Sequence, residues 1–129
     1  MMIKIEFESK VPIYQQLKNQ IIKGIASRKL KEGESMPSVR QLAKDIGINL
    51  HTVNKTYKIL KNEGFLITHR RKKVMVNSRE RMIDPDFAKK IKDQLEPIIA
   101  KSICKGVERP ELQKIVSEVY EQISKGEEA

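Results

Sequence analysis

The sequence predicts a mainly α-helical protein that contains one small β-hairpin and divides into two parts. Apolar residues recur at the spacing of helix faces over most of the chain, and two short β-like runs flank a basic segment. Charge also divides the chain: residues 1–76 carry 16 Lys and Arg against 6 Asp and Glu, whereas residues 77–129 carry 10 against 11. We therefore expect the two parts to have different functions.

The chain of 129 residues has room for one ordinary domain, or for a small domain with a tail, which excludes a large multidomain enzyme. A polar run begins at Asn77 and ends before a helical pattern that starts near Asp84. These boundaries predict a basic domain over residues 1–76, a linker over residues 77–83 and a helical hairpin over residues 84–126.

The first helix begins near Pro12, because proline suits the first helical position. Its inward face consists of Ile13, Tyr14, Leu17, Ile21, Ile22 and Ile25. The segment from Leu30 to Pro37 follows and contains Gly33, so we expect a turn and a short strand there.

The second helix begins at Ser38, which forms a capping-box pattern with Gln41, and it ends at Gly47. Its inward face consists of Val39, Leu42, Ala43 and Ile46. Asn49 can cap a third helix that ends at Gly64, so a turn of about three residues joins the two helices. The inward face of the third helix consists of Val53, Tyr57 and Leu60.

Two β-like runs over residues 65–68 and 74–76 then predict a hairpin with a basic tip. Helix, turn, helix and hairpin in this order are typical of a winged helix-turn-helix domain, whose second helix of the unit enters the major groove of DNA. Tyr14, Tyr57 and Phe65 lie at core spacings, so we interpret them as packing residues and not as base-stacking platforms.

The outward face of the third helix carries side chains that hydrogen-bond base edges, contact a thymine methyl group and neutralise phosphates. These residues are Asn49, Leu50, His51, Thr52, Asn54, Lys55 and Lys58. A solvated surface helix would also have a polar outer face, so this helix alone favours neither interpretation.

The hairpin tip decides between them, because it carries four consecutive positive residues: Arg70, Arg71, Lys72 and Lys73. These charges repel one another and contribute nothing to folding, which favours a polyanionic partner. The net charge of +9 on the whole chain agrees with double-stranded DNA as that partner.

Several separated motifs closely resemble the GntR family of transcription regulators, and the resemblance covers roughly residues 11–76. They are Pro12-Ile13-Tyr14-Gln15-Gln16-Leu17, Leu30-Lys31-Glu32-Gly33, Met36-Pro37-Ser38-Val39-Arg40-Gln41-Leu42-Ala43, Thr52-Val53 and Glu63-Gly64-Phe65. The short tail further resembles the small YtrA-type branch. By this resemblance, Arg40 binds DNA at the start of its helix, the third helix is the recognition helix, and the regulated genes are a transporter operon.

The chain departs from the family pattern at four positions. Leu50 and Asn54 stand where family members often carry arginine. In the wing, Arg71 and Lys73 replace glycines of a Gly-x-Gly pattern. Glycine permits a positive φ and a close approach to DNA, whereas arginine brings a charge that favours a narrow minor groove.

In the tail, two apolar stripes at helical spacing predict a helical hairpin. The first stripe consists of Phe87, Ile91, Leu95, Ile98, Ile99 and Ile103, and the second consists of Leu112, Ile115, Val116, Val119 and Ile123. Pro97 lies inside the first helix and is expected to kink or break it. Two facing helices leave much of both stripes in water, so we expect the hairpin of a second subunit to cover them in a homodimer.

Other classes of function lack support in the sequence. The longest apolar runs, residues 65–67 and 97–100, are far shorter than the roughly 20 residues of a membrane span, and we expect a cytoplasmic protein. Cys104 is the single cysteine and is expected to be a small buried thiol; with His51 and His69 it makes a poor metal set. We expect no metal, no cofactor and no catalysis.

The sequence thus predicts a sequence-specific DNA-binding transcriptional repressor that binds an inverted-repeat operator as a homodimer. The main alternative is a structural winged-helix protein that binds DNA or RNA without sequence preference. A third hypothesis, a small-molecule sensor whose tail closes a pocket, ranks last because two short helices leave little volume for a site of several hundred Å³. The sequence does not show whether a small-molecule effector exists or which molecule it is.

Overall fold

The computed structural model describes residues 2–126, which form two compact units that divide between Met82 and Ile83. The elements in chain order are α1 (Ile13–Ala26), α2 (Val39–Ile46), α3 (Leu50–Asn62), β1 (Leu66–Thr68), β2 (Val74–Val76), α4 (Arg79–Met82), α5 (Phe87–Cys104) and α6 (Arg109–Ser124). A short 3₁₀ turn, Arg70–Lys72, joins the two strands. The predicted fold class is confirmed.

The first unit has a single core, in which α3 packs against α1, α2 and β1. Its buried apolar residues are Leu17, Ile21, Ile25, Leu30, Met36, Leu42, Ala43, Val53, Tyr57, Leu60, Leu66 and Val76. They come from the predicted helix faces, from both strands and from the loop that follows α1. The Tyr57 hydroxyl donates a hydrogen bond to the Pro37 carbonyl at 2.8 Å, and burial raises the pKa of this phenol above its usual range.

The helix ends follow the sequence with two corrections. Pro12 has ψ 145°, so it precedes the first helical residue and its carbonyl accepts the N–H bonds of Gln15 and Gln16. The capping box at α2 forms only in half. The Ser38 hydroxyl accepts the Gln41 N–H at 3.0 Å, but the Gln41 amide donates to Asp45 Oδ1 at 2.7 Å instead of reaching back.

The turn between α2 and α3 contains residues 47–49, as predicted. Gly47 ends α2 with φ 70°, a conformation that glycine adopts without the steric cost of a Cβ atom. Asn49 begins α3, because its Oδ1 accepts the His51 N–H at 2.7 Å. This turn determines the direction in which α3 leaves α2.

β1 and β2 pair antiparallel, with Ile67 opposite Met75. A third extended segment joins them, since Ser35 bridges to Met75 and the Met36 N–H donates to the Val74 carbonyl at 2.8 Å. The segment predicted as a short strand before Pro37 thus forms a single β-bridge to the hairpin and is not a strand of the sheet. The hairpin is attached through it to the loop between α1 and α2.

Residues 77–82, predicted as part of a linker, bind to the first unit. The Asn77 side chain donates to the Gly64 carbonyl at 2.9 Å, and the Arg79 guanidinium donates to the Ile25 carbonyl at the end of α1 at 2.7 Å. The Arg79 N–H donates to Glu32 Oε1, and Met82 packs against the core. The ordered winged-helix unit therefore extends to Met82.

In the second unit, α5 continues through Pro97, so of the expected kink or break the break does not occur. A proline removes only one backbone N–H donor, and the other hydrogen bonds of this 18-residue helix remain available. A turn over residues 105–108 connects α5 to α6. The two helices are joined as a hairpin.

The apolar stripes of α5 and α6 line an open groove instead of burying each other. No described residue of either helix is buried. The groove has a volume of about 1010 Å³ and is lined by Leu95, Ile99, Leu112 and Val116 among others. The expectation that two short helices leave little volume is therefore wrong, because the helices enclose an open groove between their apolar stripes.

Two further exposures in the tail differ from the sequence analysis. Cys104 is exposed and not buried, because it lies in the last turn of α5, where the neighbouring Ile103 is also 72% exposed. Tyr120 is 71% exposed and adds to the apolar surface of α6, although the predicted stripe omitted it.

Candidate nucleic-acid interface

α3 has one face buried in the core and one face in solvent. Val53, Tyr57 and Leu60 are buried as predicted, together with Thr56, which the sequence analysis omitted. The Thr56 hydroxyl donates to the Thr52 carbonyl one turn earlier at 2.9 Å, so this polar side chain is satisfied inside the helix. Thr56 follows Val53 by three residues, which is the spacing of the inward face. It was not predicted to be buried because its side chain is polar.

The residues proposed to contact DNA on α3 divide into two groups. His51, Asn54, Lys55 and Lys58 are exposed on the outward face. Leu50 is half-buried and packs against the core, and Thr52 is also half-buried. Asn49 is exposed, but its side-chain oxygen caps the helix. The four outward residues thus form the surface available for recognition.

Lys55 has an aromatic partner on another helix. Its ammonium group lies 4.0 Å from the centroid of the Tyr14 ring on α1. A cation over a ring face is attracted by the ring quadrupole. Tyr14 is half-buried, as a packing residue would be. Its ring also contacts a cationic side chain of the candidate interface.

The charged residues of α1 and α3 are all basic, since neither helix contains Asp or Glu. Lys18 of α1 forms an ion pair at 3.0 Å with Glu63, the residue that follows α3. Arg40 is exposed near the start of α2 and forms no ion pair with any residue that the structure describes. An unpaired cation retains its charge for an anionic partner.

The wing tip exposes Arg70, Arg71, Lys72 and Lys73. Arg71 has φ 63° and Lys72 has φ 61°, so two consecutive non-glycine residues adopt the left-handed conformation. Lys73 is extended, and its carbonyl accepts the His69 N–H at 2.7 Å. Position 71 therefore keeps the backbone that glycine would supply there, at a cost of about 1 kcal/mol per residue.

Within residues 2–126, the structure indicates neither a metal site nor a membrane-spanning helix. No three His, Cys, Asp or Glu side chains in this range come close enough to hold a metal ion. His51 lies on α3 and His69 lies at the base of the wing tip. None of the described helices has the length and hydropathy needed to cross a membrane.

The comparison with known protein families agrees with this geometry. The model of the bacterial regulatory proteins of the gntR family matches residues 12–76, the segment from α1 to the second strand of the wing. The chain belongs to the GntR family. It is a transcriptional regulator, and the resemblance found in the sequence motifs is confirmed.

Individual relatives extend the similarity into the tail. The HTH-type transcriptional repressor YtrA of Bacillus subtilis is 34% identical to this chain, and the alignment covers 97% of each protein. The crystal structure of a transcriptional antiterminator from Listeria monocytogenes is similar with a TM-score of 0.89 at 28% identity, over 100% of this chain and 97% of that one. YtrA from Sulfolobus acidocaldarius, a GntR-family transcription factor, gives a TM-score of 0.58 at 35% identity, over 93% and 97%.

The backbone at position 71 generates a testable prediction about the wing of this GntR protein. We expect Arg71→Gly to be more stable than Arg71→Ala by about 1 kcal/mol in the free energy of unfolding, because only glycine adopts φ 63° without the steric cost of a Cβ atom. Both variants lose the same charge, so both should bind duplex DNA with similarly reduced affinity. Urea unfolding and fluorescence anisotropy measure the two effects, and equal stability of the variants would contradict the left-handed conformation.

Proposed function

We propose that this protein is a sequence-specific repressor that binds an inverted-repeat operator in double-stranded DNA as a homodimer in the cytoplasm. The observation that carries the proposal is the outward face of α3, which combines an amide, an imidazole and two ammonium groups beside a basic wing. An α-helix fits the major groove, which is about 12 Å wide, so this face can reach base edges.

The four outward residues of α3 differ in what they recognise. The Asn54 amide can donate to and accept from the edge of adenine, and the His51 imidazole can hydrogen-bond guanine. Lys55 and Lys58 neutralise phosphates or bind guanine. Asn54 and His51 are therefore the residues that we expect to determine base preference.

Arg40 and the wing supply contacts of another kind. Four charges at the wing tip are exposed and lie on a strained turn whose shape is held by the His69–Lys73 hydrogen bond. Phosphate contacts position a protein on the duplex, and an arginine that enters a narrow minor groove adds sensitivity to A·T-rich sequence. We assign Arg70 to the backbone and Arg71 to the minor groove.

A second copy of the chain is the proposed cover for the tail. Ile99 is 39% exposed and Phe87 is 47% exposed in the single chain, and the groove between α5 and α6 is open. If dimerisation buries about 600 Å² of apolar surface per partner, the gross gain is roughly 30 kcal/mol before association costs, at about 25 cal/mol per Å². The groove that suggests a small-molecule site in one subunit is thus assigned to the partner.

Repression follows from occupancy, because a bound dimer on an operator excludes other proteins from the same DNA. The similarity to the Bacillus subtilis repressor over 97% of both chains, tail included, supports this assignment. Control of a transporter operon belongs to the same proposal.

The first prediction from this proposal concerns specificity. We expect duplexes selected from genomic DNA to share an inverted repeat with half-sites about 34 Å apart, and to bind at least about 10³-fold more tightly than random duplexes. With roughly 6 to 10 phosphate contacts, log affinity should fall with log salt at a slope of about −5 to −9. Competition binding at several salt concentrations provides both values.

The control for specificity includes the alternative ligands. Random duplex DNA and structured RNA of equal length are titrated beside the selected duplex. Equal affinity for the selected and random duplexes, or tighter binding of RNA, would reject the operator-binding proposal in favour of a structural binder of nucleic acid.

The second prediction concerns the tail. Truncation after Met82 retains the Arg79 and Met82 contacts of the first unit, and should leave a folded monomer that binds one half-site weakly because the second tethered recognition helix is lost. In the full chain, Ile99→Asp in the groove should also yield monomer. Lys101→Asp, an exposed position outside both stripes, is the matched control and should remain dimeric. Analytical ultracentrifugation measures all three, and a dimeric truncated chain would show that the tail is not the dimerisation element.

A further inference from the structure

The contact between Tyr14 and Lys55 links α1, which forms part of the core, to the outward face of α3. The Lys55 ammonium lies 4.0 Å from the ring centroid. Lys55 forms no ion pair with a described carboxylate, and neither α1 nor α3 carries an acidic residue. The ring of Tyr14 is therefore the attractive partner that the α1–α3 interface offers to this cation.

The kind of partner matters for a lysine that binds phosphate. A carboxylate would orient the ammonium group but would also neutralise it, as Glu63 does for Lys18 at 3.0 Å. An aromatic ring orients the group and leaves its full charge for another ligand. A lysine side chain that is already oriented loses less rotamer freedom when it contacts DNA.

We propose that Tyr14 is a positioning residue for DNA binding, whose ring orients the Lys55 ammonium toward the phosphate backbone beside α3. The inference rests on the proposed function, since Lys55 must contact DNA. It assigns a role in recognition to α1, which packs behind α3. Lys58 provides the comparison, because it is exposed one turn further along α3 and forms no cation–π contact with an aromatic ring in residues 2–126.

The test is a double-mutant cycle on affinity for the selected duplex, measured by fluorescence anisotropy at several salt concentrations. Tyr14→Leu should weaken binding about two- to fivefold with an unchanged salt slope, because the charge remains but its orientation is lost. Lys55→Ala should weaken binding and reduce the magnitude of the slope by about 0.9, the value for one lost phosphate contact. Tyr14→Phe keeps the ring and should bind like the wild type.

The double variants separate positioning from packing. In the Lys55→Ala background, Tyr14→Leu should cause no further loss of DNA affinity. In the Lys58→Ala background, it should reduce the affinity by the same factor as in the wild type. Independent losses of Tyr14→Leu and Lys55→Ala would overturn the inference, and so would a loss of affinity in Tyr14→Phe, which would assign the role to the hydroxyl group.

A second measurement does not depend on DNA or on the folding of a variant. In the NMR spectrum of the unbound wild-type protein, the Cε protons of Lys55 should be shifted upfield by the ring current of Tyr14 relative to those of Lys58. Equal shifts for the two lysines would overturn the inference. If the wild type shows no preference for any duplex, the proposed function itself fails; if it is specific but the cycle shows no coupling, only the role of Tyr14 fails.

Discussion

The burial of one face of α3 is the constraint on which the rest of the structure depends. Val53, Thr56, Tyr57 and Leu60 lie at helical spacing and are buried together, so the opposite face of the same helix has to remain in solvent. The Tyr57 hydroxyl, bound to the Pro37 carbonyl, fixes this helix against the segment that precedes α2. The packing that stabilises the fold therefore also presents the residues proposed to bind DNA.

The helices, the hairpin and the family were predictable from the sequence because local signals determine them. Apolar periodicity predicted α1, α2 and α3, and side-chain caps predicted the starts of α2 and α3, since Ser38 and Asn49 act within a few residues. Features that depend on distant partners were not predictable. Arg79 binds the end of α1 across more than 50 positions of the chain, which attaches a segment that looks like a linker.

The candidate interface shows the same division at the level of single residues. The polar sequence of α3 identified its outward face, but it did not show that Leu50 packs against the core or that Lys55 lies over Tyr14. The left-handed conformation at Lys72 and the exposure of Cys104 also had no local signal. In the tail, the stripes were correctly placed on two helices, but their open groove follows from tertiary geometry that one chain's periodicity does not specify.

The central claim, that the outward face of α3 reads base sequence while the wing supports it through charge, is tested most directly by selecting DNA with two single variants. Asn54→Ala should change the preferred base at one position of each half-site, with a discrimination of roughly 1 to 3 kcal/mol lost there. Arg70→Ala should weaken all selected duplexes by a similar factor and leave the preferred bases unchanged. Unaltered base preference in Asn54→Ala, or a changed preferred sequence in Arg70→Ala, would contradict the account.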